Sequence, residues 1–272
     1  MAVVKNGLMV LIFWLLAGVC PAEYAVFTRA AQESGSQLLS FVVGSVVQRI
    51  EVHFFKESEE GLCIVDEGNE APRYGNLAAA MEAEKCTAGV NGGYFGADAA
   101  RTPIGLVRHK GFTIAPFSKR GFTVSGIVYD TGRGICLERS TRLQTPLHSM
   151  QEAIQGGPFL VENGRAVSGL ERTKKAARTF IATNGAGRWC IGITSPLTLA
   201  ECAAWLAQPG CLGEFRVQAA LNLDGGSSSS FWDKAAGVSR PGFKAVRNYV
   251  GVRPRRLSAP SGASAGKTPP AP

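Results

Sequence analysis

Two strand-to-glycine junctions carry the side chains best suited to chemistry. Asn91-Gly92-Gly93-Tyr94-Phe95 follows the short apolar run from Cys86 to Val90, and Asn222-Leu223-Asp224-Gly225-Gly226-Ser227-Ser228 closes the run that starts at Val217. Each places a polar side chain at a strand end, followed by Gly92-Gly93 or Gly225-Gly226, whose bare backbone can approach a ligand. Asp224 is the leading base or nucleophile, because a carboxylate offers both proton acceptance and charge. Arg178 offers a guanidinium with paired donors for an anion. Asn91 can both donate and accept, and Ser227 and Ser228 can supply hydroxyls or N–H groups. Gln155, ahead of Gly156-Gly157-Pro158, reads either as lining the same cleft or as part of a plain turn. Taken singly, each glycine junction is better read as a hairpin turn.

Other chemistries find less support. His53, His109 and His148 share no motif, so neither a histidine-ligated metal nor a Ser-His-Asp arrangement is expected. The serine run from Ser227 to Ser230 lacks the Gly-x-Ser-x-Gly elbow of esterases. No Cys-x-x-Cys pair occurs, which argues against a structural zinc site. No cofactor is expected; Ca2+ or Mg2+ at Asp224 is compatible with a carboxylate, but no ligand cluster is visible.

The elements that must hold these residues are short and turn-bounded. Leu38 to Phe55 is β-prone and broken at Gly44, predicting opening strands. Asn76 is placed to cap a helix over Leu77 to Glu84. Gly121 to Tyr129 with Ile135 to Leu137, and Thr179 to Thr183 with Trp189 to Thr194, predict two hairpins. Thr198 and Glu201 form a capping-box signature for a helix stopped by Pro209-Gly210. Val217 to Leu223 reads as a buried strand. The 33 glycines and 14 prolines agree with many turns. The expected class is a single α+β domain with a mixed or antiparallel sheet core and flanking helices.

Lys5 precedes an apolar run from Leu8 to Val19 ending at Cys20-Pro21-Ala22, a secretory signal pattern too short for a membrane span. Export to a periplasm is expected, with secretion or anchoring through this segment as alternatives. Boundaries follow at 1–22 for the signal, 23–252 for the domain and 253–272 for a Ser/Ala/Gly/Pro-rich disordered tail. Six cysteines remain after cleavage, an even number that fits up to three disulfides, with Cys202 and Cys211 the best candidate pair. The net charge of +8 falls to +3 once Lys5 and the tail cations Arg253, Arg255, Arg256 and Lys267 are set aside. No nucleic-acid partner is expected from such scattered charge, and no stable membrane span after cleavage.

In order and spacing, these motifs resemble the phosphodiester glycosidase family from about Cys86 to Val252. The resemblance takes in Pro103-Ile104-Gly105-Leu106, Gln155-Gly156-Gly157-Pro158, Phe159 to Gly164, Arg178-Thr179 and the Asp224 stretch; residues 23–75 match only loosely. Ser227 stands where family members often carry a third glycine, which is closer to the bacterial exported branch. The resemblance implies hydrolysis of a glycosidic bond whose leaving group is a phosphodiester, with a phosphate-linked saccharide as partner. On that reading Asp224 is base, nucleophile or stabiliser of the oxocarbenium ion, Arg178 the leading phosphate contact, Asn91 a partner for sugar hydroxyls or an acetamido group, and Ser227 and Ser228 partners for the phosphate. Ordinary glycosidases need two carboxyl groups. A phosphate leaves far more easily, its second proton having a pKa of ~6, so one carboxylate and a phosphate clamp suffice. A non-catalytic periplasmic glycan-binding protein is the alternative.

Overall fold

Hairpin follows hairpin along this chain, and every strand pairing among the described residues is antiparallel. The computed structural model describes residues 26–27, 35–43 and 46–255. The expected signal segment, and the tail beyond Arg255, lie outside the described residues. β1 (Val26–Phe27), β2 (Gly35–Val43), β3 (Val46–Lys56) and β4 (Glu60–Asp66) lead to α1 (Leu77–Ala83) and β5 (Ala88–Asn91). Two hairpins, β6 (Val107–His109) with β7 (Phe112–Ala115) and β8 (Gly126–Asp130) with β9 (Ile135–Arg139), precede β10 (Glu152–Gly156), β11 (Phe159–Glu162) and β12 (Arg165–Ala166). Then come β13 (Thr179–Thr183), β14 (Arg188–Thr194), α2 (Leu199–Leu206), β15 (Ala219–Asn222), β16 (Phe231–Asp233), β17 (Val238–Arg240) and β18 (Asn248–Pro254). β18 thus runs past the expected domain end at Val252.

The strands form an eight-stranded sheet, β1-β2-β3-β14-β13-β15-β11-β12, and two five-stranded sheets, β7-β6-β10-β8-β9 and β17-β16-β5-β18-β4. The expected antiparallel sheet core is present, and the α+β class is corrected: the described residues are mostly β, with two short α-helices. Links rich in Gly, Pro and other turn residues do not sustain the helices that parallel crossovers usually use. Both helices begin where local chemistry predicts. Asn76 Oδ1 accepts the Ala79 N–H at 2.9 Å, and the Thr198/Glu201 capping box is complete in both directions.

Side-chain alternation along the central strands divides the core. Phe180, Ala182 and Cys190 face α2 with Phe41 and Trp205, whose rings stack at 4.4 Å. Ile181 and Ile191 face the opposite way, into a core shared with Val90, Val107, Ile154, Leu221 and Val250 from all three sheets. α1 covers the far side of the third sheet through Leu77 and Met81. The exposed edge of β4 is closed by carboxylates: Leu62 N–H donates to Asp130 and Ile64 N–H to Glu152. These bonds tie two sheets together and blunt an edge that could otherwise pair with another chain.

The disulfide expectation is not met. Cys63, Cys86, Cys136, Cys190, Cys202 and Cys211 are all free thiols. Cys202 and Cys211 are both fully buried in the α2 core, where the Cys211 thiol donates to Leu206 O. They pack as small apolar side chains.

Candidate functional site

The ends of β5, β10 and β15 and the starts of β13 and β18 meet at one place. Leu223 N–H donates to Thr179 O, Gly157 N–H to Asn222 O, Gly92 N–H to Asn248 O, and Asp224 N–H to Gly92 O at 3.0 Å. Sheet pairing therefore brings both glycine junctions to a single locality, although 133 residues separate Asn91 from Asp224.

Asp224 leaves β15 partly buried. Its Oδ1 accepts the Gly225 N–H at 2.9 Å, and the Ser228 hydroxyl also bonds its carboxylate. Burial raises the Asp224 pKa above the usual carboxylate value, against the lowering pull of Ser228, the Gly225 amide and the Lys244 charge. Gly225 is required for packing, since a Cβ there would lie 2.8 Å from Ala177 O. Gly226 has φ of +63° and donates its N–H to that same carbonyl at 2.8 Å. The aspartate turn is thus seated on the segment that delivers Arg178.

Arg178 is half-buried, its Nε donating to Leu197 O at 2.8 Å and its Nη2 to Lys174 O at 2.7 Å. Backbone carbonyls, not a carboxylate, hold this guanidinium in place. Tyr94 lies within reach of both charges: burial pushes its phenol well above the usual value, the Asp224 charge adds to the rise, and Arg178 opposes it. Its hydroxyl donates to Gly157 O at 3.0 Å and accepts from Asn222 Nδ2 at 2.8 Å.

Two sequence candidates turn away from any ligand. Asn91 is fully buried: its Nδ2 donates to Asp224 O at 2.7 Å, and its Oδ1 accepts from Thr179 Oγ1 at 2.7 Å and Ser230 N at 3.1 Å. It positions Asp224 and has no face left for sugar hydroxyls. Gln155 is 1% exposed and spends its amide on Leu106 N, Ser118 N and O, Val124 O and Ser140 Oγ. It knots the loops after β5 and β7 and does not line a cleft with its side chain. Gly92 and Gly93 serve close packing, because Cβ atoms there would meet Asn248 Oδ1 at 2.1 Å and Gln155 O at 2.6 Å. Ser228 is buried against Asp224, whereas Ser227 is exposed.

Lys244 carries no signal in the sequence. Phe243 N–H and Lys244 N–H both donate to Ser227 O, at 2.8 and 3.0 Å, pinning this loop to the aspartate turn. Lys244 Nζ lies 4.9 Å from the centre of the Phe95 ring, and the Phe243 ring beside it is 98% exposed. A lysine in a polar loop gives no periodicity or motif by which to find it. Ser36, His53 and Asp233 also meet, which no motif foretold, but not as a relay. The serine hydroxyl and His53 Nδ1 both reach the same Asp233 Oδ2, the latter at 2.6 Å, whereas a nucleophilic serine would bond the other ring nitrogen.

Residues 84–253 match the phosphodiester glycosidase family, a span that holds Tyr94, Arg178, Asp224 and Lys244. The chain belongs to that family. Among solved structures it is similar to the catalytic domain of zebrafish N-acetylglucosamine-1-phosphodiester alpha-N-acetylglucosaminidase, auto-inhibited by its pro-peptide. The TM-score is 0.59 at 13% identity, covering 87% of this chain and 89% of that one. A hypothetical protein from Synechocystis matches with TM-score 0.52 and 14% identity over 86% of this chain and 64% of its own. A Burkholderia pseudomallei protein described as exported matches with TM-score 0.54 and 12% identity over 78% of this chain and 75% of its own. At such identities the likeness is one of fold. No curated protein matches the sequence. No helix of the described residues is long and apolar enough to cross a membrane.

Proposed function

We propose that this family member is an exported hydrolase that cleaves the bond between a sugar and a phosphodiester in an envelope or exogenous glycan. The observation that carries the reading is a desolvated carboxylate, Asp224, that feels the charge of Lys244 and shares Tyr94 as a neighbour with Arg178, at the meeting point of the strand ends. Water adds at the anomeric carbon, the bond from that carbon to the phosphate oxygen breaks, and a free sugar and a phosphomonoester leave. Asp224 acts as base, nucleophile or partner of the oxocarbenium-like transition state. Arg178 and Lys244 bind the phosphate, whose departing charge they neutralise as it develops. Because phosphate departs as a stable anion, no second carboxyl group is needed to protonate it. The exposed Phe243 ring offers a flat apolar wall for a sugar face.

The name of the zebrafish neighbour makes N-acetylglucosamine phosphodiesters the first substrates to try, and export rests on the Lys5 to Ala22 signal pattern. The purified chain is incubated with a panel of UDP-sugars and sugar phosphodiesters, and released sugar is quantified. Release should fall by about 100- to 10,000-fold in Asp224→Asn, the range for losing a catalytic acid–base group. Saccharide binding without any release by the wild-type chain would instead make it a glycan-binding protein.

A further inference from the structure

At the other end of β10 from Gly156, a thiol, an imidazole and a carboxylate converge. Ligand atoms of Cys63 on β4, His109 on β6 and Glu152 on β10 all lie within 4.8 Å of one another. Four residue steps along β10 separate this cluster from the Gly156 end, roughly 13 Å of strand. It is therefore distinct from the Asp224 site.

Glu152 is 2% exposed and firmly oriented. Arg253 Nη2 holds its Oε1 at 3.0 Å, while its Oε2 accepts the Ile64 N–H at 3.0 Å and faces His109 Nδ1 at 3.1 Å. Partners of this kind aim a carboxylate oxygen at a fixed point. The Cys86 thiol is hydrogen-bonded to Cys63 and stands outside the three-ligand group. Gly251 leaves room for it, since a Cβ there would lie 2.6 Å from Cys86 Sγ. On the outer side, His109 lines a cavity of about 690 Å³. Of the carboxylates on its walls, Asp66 is paired with Arg247 and Glu84 with Lys110, and Glu67 and Glu70 share the wall with Arg73.

We propose that Cys63, His109 and Glu152 bind a zinc-class divalent cation that clamps the edge of β4 to β6 and β10. One thiolate, one imidazole and one carboxylate form a donor set that selects Zn2+ over Ca2+ or Mg2+. Bonds of about 2.0–2.3 Å put tetrahedral ligand atoms ~3.3–3.8 Å apart. The 3.1 Å His109–Glu152 contact and the 4.8 Å limit bracket that spacing, so closure needs only a small inward shift. Binding releases the Cys63 thiol proton and replaces the hydrogen bond shared by His109 and Glu152. Standing roughly 13 Å of strand from the Gly156 end, the cation braces two sheets and takes no part in sugar release.

The test uses the full chain, isolated, treated with a chelator and then titrated with Co2+. A thiolate-to-cobalt absorption in the near ultraviolet should saturate at about one equivalent, and Zn2+ should bleach it. His109 lies on the cavity rim, so His109→Gln keeps the fold, checked by circular dichroism, yet should weaken binding more than the ~10- to 100-fold typical of losing a mere ligand-orienting partner. Three results would each overturn the site: no thiolate band in the wild-type chain, a band undiminished in His109→Gln, or an intact mass showing Cys63 and Cys86 joined as a disulfide. None of these bears on sugar release, so the site stands or falls apart from the glycosidase reading.

Discussion

Replacing Asn91 by alanine separates a positioning role from direct contact with substrate. The change deletes three hydrogen bonds within a fully buried shell and leaves the Ser230 N–H, the Thr179 hydroxyl and the Asp224 carbonyl each short of a partner. A buried polar group left unpaired costs about 1–3 kcal/mol. Thr179 can turn to Ser229, 3.1 Å away, so two groups are stranded and the expected loss is roughly 2–6 kcal/mol. At ~2–4 °C per kcal/mol for a domain of this size, the melting temperature falls by at least about 4 °C. Urea titration gives the free energy, and sugar release measured well below the transition gives activity. Both should decline, because Asp224 loses the bond that sets its backbone. If Asn91→Ala costs less than about 0.5 kcal/mol, the range of an inconsequential surface change, while release collapses, the amide meets substrate after all and the positioning argument is wrong.

Asp224→Asn should stabilise the fold at neutral pH while abolishing release. The raised pKa means that the native chain holds this proton more tightly than the unfolded one, so stability is lost as pH rises from the unfolded to the folded value. The melting-temperature gain should therefore be present above that window and vanish below it; a gain that grows on acidification would refute it. Lys244→Ala should lower kcat/KM by roughly 5- to 10-fold, as for a charge-assisted contact of about 1–1.5 kcal/mol in partly screened surroundings, and flatten the salt dependence of KM. Arg247 is 2% exposed and donates to both Asp66 oxygens, at 2.7 and 3.0 Å. Arg247→Ala should cost about 3–5 kcal/mol by urea titration, because it strands a carboxylate that is itself largely buried.

Local rules make the hairpins, both helix caps and the glycine junctions legible. Thr198 and Glu201 show why: a capping box needs only four consecutive residues, so its evidence is complete in the sequence. The α+β expectation fails on a different scale. A run such as Val217 to Leu223 can be recognised as a strand, but nothing local states that all neighbours pair antiparallel, and Phe231–Asp233 is too short to register as a strand at all. Asn91 and Gln155 mislead for a related reason. An amide at a strand end looks the same whether it faces solvent or the interior, and only the approach of Ser230, Asp224, Leu106 and Ser118 from elsewhere decides.

From its sequence alone this chain declares its family, its turn-rich β character and the carboxylate on which the proposed chemistry rests, because those depend on residue type and near-neighbour order. Tertiary structure decided the rest. The approach of Lys244 to Asp224, the burial that sets the Asp224 proton affinity, and the meeting of Cys63 with His109 and Glu152 arise from segments far apart in sequence. Spacing along the chain argues against a zinc site, yet sheet pairing sets spatial neighbours by register and packing, which short-range pattern does not encode.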